Sequence, residues 1–300
     1  MNKILVFGPA RTIETLTVPT VGASTDGISY ETILGGQGET IAVAFARLGA
    51  RSVFCGRVGD DSGGKRLARL LDTAGVDLSC FRVDRSAQTS HLIREVDGKA
   101  ERRIAFTGTD NRLTDEEIRT AFLSTPDAVC LSGELSAQIL SKIGELAAER
   151  NIPLFMLYTE TDTSYEAIPA LHTFMTDELT AEMLTGIFPS AADSALKAAI
   201  ELQKRIKAKY YIIRQGDRGA FLYDGTYCHV VSAFSLSQSD LRGTDAAFFA
   251  AAVHEYLSSG GELQLALRYA AAAAALASTH AGEATAVPTA DEILTFLDQT

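Results

Sequence analysis

The chain has 300 residues, 46 % apolar and 22 % charged, and its 27 Lys and Arg against 38 Asp and Glu give a formal net charge of −11. That composition excludes disordered, collagen-like and coiled-coil classes, and the length suffices for a full core without disulfide staples. The negative surplus repels phosphate backbones and anionic membranes, so neither nucleic acid nor a membrane surface is an expected partner.

The opening MNKILVFG carries one early Lys and an apolar run too short for a signal-peptide core, and nowhere do ~18 apolar residues run without a charge. Residues 4–7 read as the first strand, followed by 52–55, 128–131, 153–157, 210–214 and 220–223; these runs are short and mostly apolar, as in strands covered on both faces. Between them residues 40–48, 65–73, 137–150 and 192–206 place apolar side chains at helical spacing, one apolar face per segment. Strand–helix alternation predicts a mostly parallel sheet with helices on both faces. Residues 14–17 and 28–33, and later 90–95 and 103–106 around the turn Asp97-Gly98, alternate in the manner of a half-exposed antiparallel sheet. They predict a small β lid, built from about residues 10–34 and 88–107, beside the main sheet. Without repeats or a low-complexity linker, residues 1–300 are expected to form one unit. The Ala-rich run 270–277 reads as a helix made for close packing. Cys55, Cys80, Cys130 and Cys228 lie far apart in apolar stretches with no C-x-x-C pair, which predicts inert core thiols and a reducing, cytoplasmic setting. The five His residues show no ligand spacing and read as surface or packing residues.

Four loops carry the candidate chemistry. Gly35-Gly36-Gln37-Gly38 leads into a helix; it serves a tight turn, or lets backbone approach a ligand at a helix start whose N–H groups are unpaired. The run from Gly56 to Gly64 is explained by a turn with Asp61 or Ser62 as helix cap. Gly216-Asp-Arg-Gly219 is a hairpin turn, or a loop at a strand's carboxyl end facing a phosphate. Asp240-Leu-Arg-Gly243-Thr-Asp245-Ala-Ala-Phe248 starts an apolar helix, where Thr244 or Asp245 caps the end or successive N–H groups hold an anion. P-loop, dinucleotide-binding, zincin and hydrolase-elbow motifs are missing from the sequence.

In their order these blocks resemble the PfkB (ribokinase-like) family of carbohydrate and nucleoside kinases over essentially the whole chain. GGQGETIAVAFARLGARSVFCGRVGDDSGG is similar to the family's first signature and DLRGTDAAFFAA stands in the place of its second, supported by DELTAEMLTG, RQGDRGAFL and ALRYAAAAAALASTHAGEATAVPT. The resemblance implies a three-layer α/β sandwich with a β-sheet lid, ATP with Mg2+ as donor, and a small sugar or nucleoside hydroxyl as acceptor. A small flap standing alone is marginal in water, so its apolar side is expected to be covered by substrate or by a partner's lid, which favours a homodimer through the lid. The resemblance also implies anion-hole amides at Gly243, Thr244, Asp245 and Ala246, acceptor contacts at Glu14, Gly35, Gly36, Gln37 and Thr40, and nucleotide contacts at Asp177, Thr180, Arg214, Gly216, Gly219, Ala271 and Gly282. Asp240 matches the acidic residue of an alkali-cation site, which implies K+ there.

The chemical positions depart from the family pattern. The second signature usually reads D-T-T-G-A-G-D, with its last Asp the general base; aligned on Gly243 and Phe248, that position is Ala246, and Asp245 stands one residue early as a displaced base. N-x-x-E becomes Asp177-Glu178-Leu179-Thr180, and the substrate-binding Asp after the first strand becomes Ile13, with Glu14 next to it. Two readings follow: a kinase with a displaced mechanism, or a pseudokinase that binds nucleotide or metabolite in a regulatory role without turnover.

Overall fold

The computed structural model describes residues 1–24, 26–159, 168–237 and 240–300, and its elements are numbered along the chain. One eight-stranded sheet contains β1 (Lys3–Phe7), β4 (Arg51–Cys55), β9 (Ala128–Ser132), β10 (Leu154–Tyr158), β11 (Leu171–Asp177), β12 (Ala208–Arg214), β13 (Ala220–Tyr223) and β14 (Cys228–Val231). Their order across the sheet is β14-β13-β12-β11-β10-β9-β1-β4. Pairing is parallel from β4 to β12, and β13 and β14 add antiparallel.

Side chains alternate across the sheet, so neighbouring residues of β1 serve opposite cores. Ile4 and Val6 pack with α1 (Gln37–Arg47), α2 (Ser62–Thr73), α7 (Thr244–Ser258), α8 (Leu263–Ser278) and α9 (Ala290–Asp298). Leu5 and Phe7 pack with α3 (Asp115–Phe122), α4 (Ala137–Arg150), α5 (Glu178–Thr185) and α6 (Ala192–Arg205). Both faces are therefore dry, which is why these strands read as continuous apolar runs. Ala270, Ala271, Ala272 and Ala273 of α8 are buried beside the equally small Ala250, Ala251 and Ala252 of α7, and the lack of bulky side chains lets the two helices approach closely.

Two smaller sheets complete the described residues: β5 (Arg57–Gly59) with β6 (Arg82–Asp84), and a four-stranded sheet in the order β3-β2-β7-β8. The latter comprises β2 (Arg11–Thr17), β3 (Ser29–Leu34), β7 (Ser90–Val96) and β8 (Glu101–Phe106). Its central pair, β2 and β7, is parallel, and the other two pairings are antiparallel. The two alternating regions of the sequence thus join into one lid.

Several expectations need correction. Leu171–Asp177 is a strand that the sequence hid, because His172, Thr173 and Thr176 interrupt its apolar run; Thr173 and Thr176 are nevertheless buried. Cys228 is not a core thiol but is exposed on the edge strand β14, whereas Cys55, Cys80 and Cys130 are buried and free. Neither Thr244 nor Asp245 caps α7: the cap is Gly243, and the Thr244 hydroxyl donates back to the Leu241 carbonyl. Asp61 does cap α2, accepting from the Gly64 amide at 2.9 Å. His172 is a packing residue, its ring tilted against those of Phe155, Tyr210 and Tyr256, with its pKa lowered to about 4 by burial. No described helix is long and apolar enough to cross a membrane.

Candidate active site

In a parallel sheet, ligands collect beyond the carboxyl ends of the strands where the strand order reverses. Here β1 lies between β9 and β4, and two cavities open at that edge. The first, of about 250 Å³, has a floor made by residues that follow β1, β9 and β10: Arg11, Glu134 and Thr159. The lid contributes Ile13, Leu92, Arg94 and Arg103, and the far wall is Leu241, Gly243, Asp245, Ala246 and Glu283. The second, of about 460 Å³, lies beyond β11 and β12, lined by Asp177, Glu178, Arg214 and Gly216 and by an apolar side of Phe234, Ala271, Ala274 and Ala275. Leu241 and Asp245 line both cavities. The start of α7 therefore stands between them, with its free amides and positive dipole end at the junction.

The floor is held by polar ties that cross the sheet. Gln37 donates through Nε2 to the Thr159 hydroxyl at 2.6 Å, and its Oε1 accepts from the Ser132 hydroxyl at 3.0 Å, locking α1 to the ends of β9 and β10. Gly8 and Gly38 make that approach possible, since a Cβ on Gly38 would stand 2.8 Å from the Gly8 Cα. Glu39, wholly buried, accepts from the Arg11 amide at 2.8 Å and the Gly36 amide at 2.9 Å. Burial nevertheless pushes its pKa up to about 8. The Arg11 guanidinium spans Asp110 at 3.1 Å and Glu134 at 2.9 Å. Burial raises the Asp110 pKa to about 6 against the opposing pull of Arg11.

At the junction, Arg214 donates from Nε to Asp245 Oδ1 at 3.2 Å, and its guanidinium carbon lies 4.5 Å from the centre of the Phe248 ring. Asp177 caps α5 by accepting from the Thr180 amide at 2.6 Å, and burial raises its pKa. Gly243 has φ +76°, and a Cβ on it would stand 2.8 Å from the Glu283 carbonyl oxygen, so only glycine lets the 283 segment close against the start of α7.

Most of the sequence candidates meet here, but not all. Gly36, Gln37 and Thr40 line the first cavity; Asp177, Arg214, Gly216 and Ala271 line the second; residues 243–246 divide between them. Glu14 does not line the acceptor-side cavity: strand alternation turns Ile13 inward, and Glu14 pairs with His91 Nε2 at 3.2 Å instead. Gly35 and Thr180 line neither cavity, and Thr180 is buried. Gly219 is a turn residue packed against the Val231 carbonyl, and the Gly282 amide donates to Asp240 Oδ2 at 3.0 Å. Asp240 does not suit an alkali cation. Both its oxygens are taken by Arg242, with Nη2 at 2.6 Å, so a guanidinium already supplies the positive charge. Sequence reading missed Arg11, Arg94, Arg103, Glu134, Arg242 and Glu283, which no shared motif unites; the one local signal was a charged residue directly after Gly282.

The family description pfkB family carbohydrate kinase matches residues 1–290. The ribokinase of Haemophilus influenzae is 27 % identical over 312 aligned residues, covering 99 % of this chain and 99 % of its own. The ATP-dependent ribose-1-phosphate kinase of Halopiger xanaduensis is 28 % identical over 273 residues, covering 88 % and 86 %. Among solved structures, Arabidopsis thaliana ribokinase complexed with ribose and ATP superposes with a TM-score of 0.88 at 22 % identity, over 99 % of this chain and 98 % of that one.

Proposed function

The chain belongs to the pfkB family of carbohydrate kinases, with the family's ribokinase-like α/β fold, and from that premise we propose that it transfers the terminal phosphoryl group of ATP to a hydroxyl of a small sugar-like or nucleoside-like acceptor. One observation carries the reading: two cavities of different chemistry meet at a single helix N-terminus, with Asp245 on both. ATP fits the second cavity, its base against Phe234, Ala271, Ala274 and Ala275 and its phosphates toward the amides of residues 243, 245 and 246, the Thr244 amide being donated to the Leu241 carbonyl at 3.3 Å. The acceptor fits the first, beneath the lid, where Gln37 and Thr40 offer polar atoms. Phosphoryl transfer depends mainly on positioning and electrostatics, and the amides of α7 supply both at the junction.

Among the described residues no group of three acidic, His or Cys side chains is placed to hold a metal by itself. Asp177 and Asp245, both on the nucleotide cavity, are hard oxygen donors suited to a Mg2+ that keeps most of its water and binds through ATP phosphates. When bound, that ion would neutralise charge on the transferring group. The base that accepts the acceptor's proton comes from the carboxylates on the first cavity, of which Asp245 is the one the sequence singles out.

The regulatory alternative gains nothing from the relatives named above, which are kinases by name. A homodimer through the lid is part of the proposal, because Tyr30, Ile104 and Phe106 expose apolar surface there. The reducing cytoplasm is its setting, in keeping with three buried free thiols. Calorimetric titration with ATP and Mg2+, followed by a coupled ADP-release assay with D-ribose, D-fructose and ribose 1-phosphate, tests the reading. Binding with turnover of any of the three supports it; ATP binding without turnover of any returns the regulatory alternative. Sedimentation equilibrium tests the dimer.

A further inference from the structure

Three carboxylates line the acceptor cavity, Glu134, Asp245 and Glu283, and their surroundings separate them. Glu134 Oε1 is engaged by Arg11 at 2.9 Å, and its Oε2, at 3.2 Å, shares the single Ser132 hydroxyl proton with Gln37. Asp245 gives Oδ1 to Arg214 on the side that faces the nucleotide. Glu283 differs from both: its Oε2 is buried and has no hydrogen-bond partner. Its backbone closes directly on Gly243, so the side chain is anchored at the helix start where the phosphoryl group would be held. A buried carboxylate oxygen without a partner is costly, so this carboxyl gains by taking up a proton.

We propose that Glu283 is the general base of this kinase, standing in from another segment for the carboxylate missing at Ala246. The assignment rests on the kinase reading above. The Glu283 carboxylate takes the proton of the acceptor hydroxyl. The acceptor oxygen bonds to the terminal phosphorus of ATP, the bond from that phosphorus to the bridging oxygen breaks, ADP leaves, and the proton passes from Glu283 to solvent. The groups facing Glu283 suit this role: Arg94 from β7 and Arg242 from the loop before α7 favour its charged form, while Glu134 and Asp240 oppose it. Burial is the largest influence and raises the Glu283 pKa to about 7, where a base is about half deprotonated at neutral pH and still strong enough to take the hydroxyl proton.

The test is the pH profile of kcat and kcat/KM with whichever of D-ribose, D-fructose and ribose 1-phosphate the wild-type protein phosphorylates, for wild type, E283Q and E283D. Wild-type kcat/KM should fall on the acid side with an apparent pKa near 7. E283Q should lower kcat by about 10²–10⁴-fold while the KM for ATP changes by less than about threefold, and the acid limb should vanish. E283D should keep the limb at reduced kcat, which a purely structural role would not produce. An E283Q kcat within about tenfold of wild type, or an acid limb that survives in E283Q, overturns the assignment and returns the role to Asp245. Should E283Q fail to fold, a wild-type profile flat between about pH 6 and 8 overturns it equally. If the wild-type protein phosphorylates none of the three acceptors, the kinase reading falls first and the base falls with it.

Discussion

Replacing Gly243 by alanine should damage the site and the fold together, in an amount that a second glycine calibrates. Gly243 and Gly186 have nearly the same backbone, φ +76° and +75°, but differ in surroundings: nothing lies within 4 Å of a Cβ on Gly186, whereas a Cβ on Gly243 meets the Glu283 carbonyl oxygen at 2.8 Å and its Cα at 3.2 Å. Gly186→Ala therefore reports the left-handed backbone cost alone, about 1–2 kcal/mol. Gly243→Ala adds forced displacement of the 283 segment, about 1–3 kcal/mol more for overpacking against backbone, for a total of about 2–5 kcal/mol. At roughly 2–4 °C per kcal/mol in chains of comparable size, differential scanning calorimetry should separate the two variants clearly. The Gly243 variant should also lose ATP-induced stabilisation, which reaches ~2.7 kcal/mol for a protein at a hundredfold excess over Kd, because the amides of residues 243–246 move with the helix start. Equal Tm values for the two alanine variants, with ATP stabilisation retained in both, would refute the close approach of Glu283 to α7 and the phosphate site built on it.

Because Arg242 occupies the carboxylate of Asp240, turnover should change by less than about twofold when K+ replaces Na+; strong activation by K+ in a coupled assay would count against this pairing. Arg214→Ala removes a buried guanidinium that neutralises Asp245 and lines the nucleotide cavity, so calorimetry should find ATP binding weakened by about tenfold or more, with Tm lowered as well. Glu39 has a folded pKa raised from 4.5 to about 8, so the folded state holds a proton that the unfolded state releases. Its contribution is full below the unfolded pKa and is lost as pH rises toward 8. Urea unfolding at a series of pH values should therefore show wild-type stability falling relative to Glu39→Gln across that window, and parallel curves would place the carboxyl outside the core.

Much of the scaffold was legible locally. Ala137–Arg150 was legible from the helical spacing of its apolar residues, and it stops at Asn151, which takes the left-handed conformation, φ +54°. The strands of the parallel sheet announced themselves as apolar runs because helices dry both their faces. The loops at Gly36, Gly216 and Gly243 were also readable, since their contribution is backbone geometry and free amides, which glycine-rich turns before helices or between strands encode in a few neighbouring residues.

The ionic interior of the site was decided elsewhere. Ile13 held the aligned position and Glu14, next to it, had the suitable chemistry, yet the register of β2 turns Ile13 inward and sends Glu14 to His91. Leu171–Asp177 lacks the apolar run of its neighbours and is a strand because β10 and β12 bracket it. Arg11, Arg94, Glu134, Arg242 and Glu283 come from five separate segments and share one cavity only after the lid has folded over the strand ends. Local sequence determines the backbone of this protein because helix spacing, strand runs and caps depend on neighbours a few residues away. Which charged side chains face one another, and which carboxylate is left without a partner, depends on strand register and on the docking of distant segments, and those are settled only when the chain closes on itself.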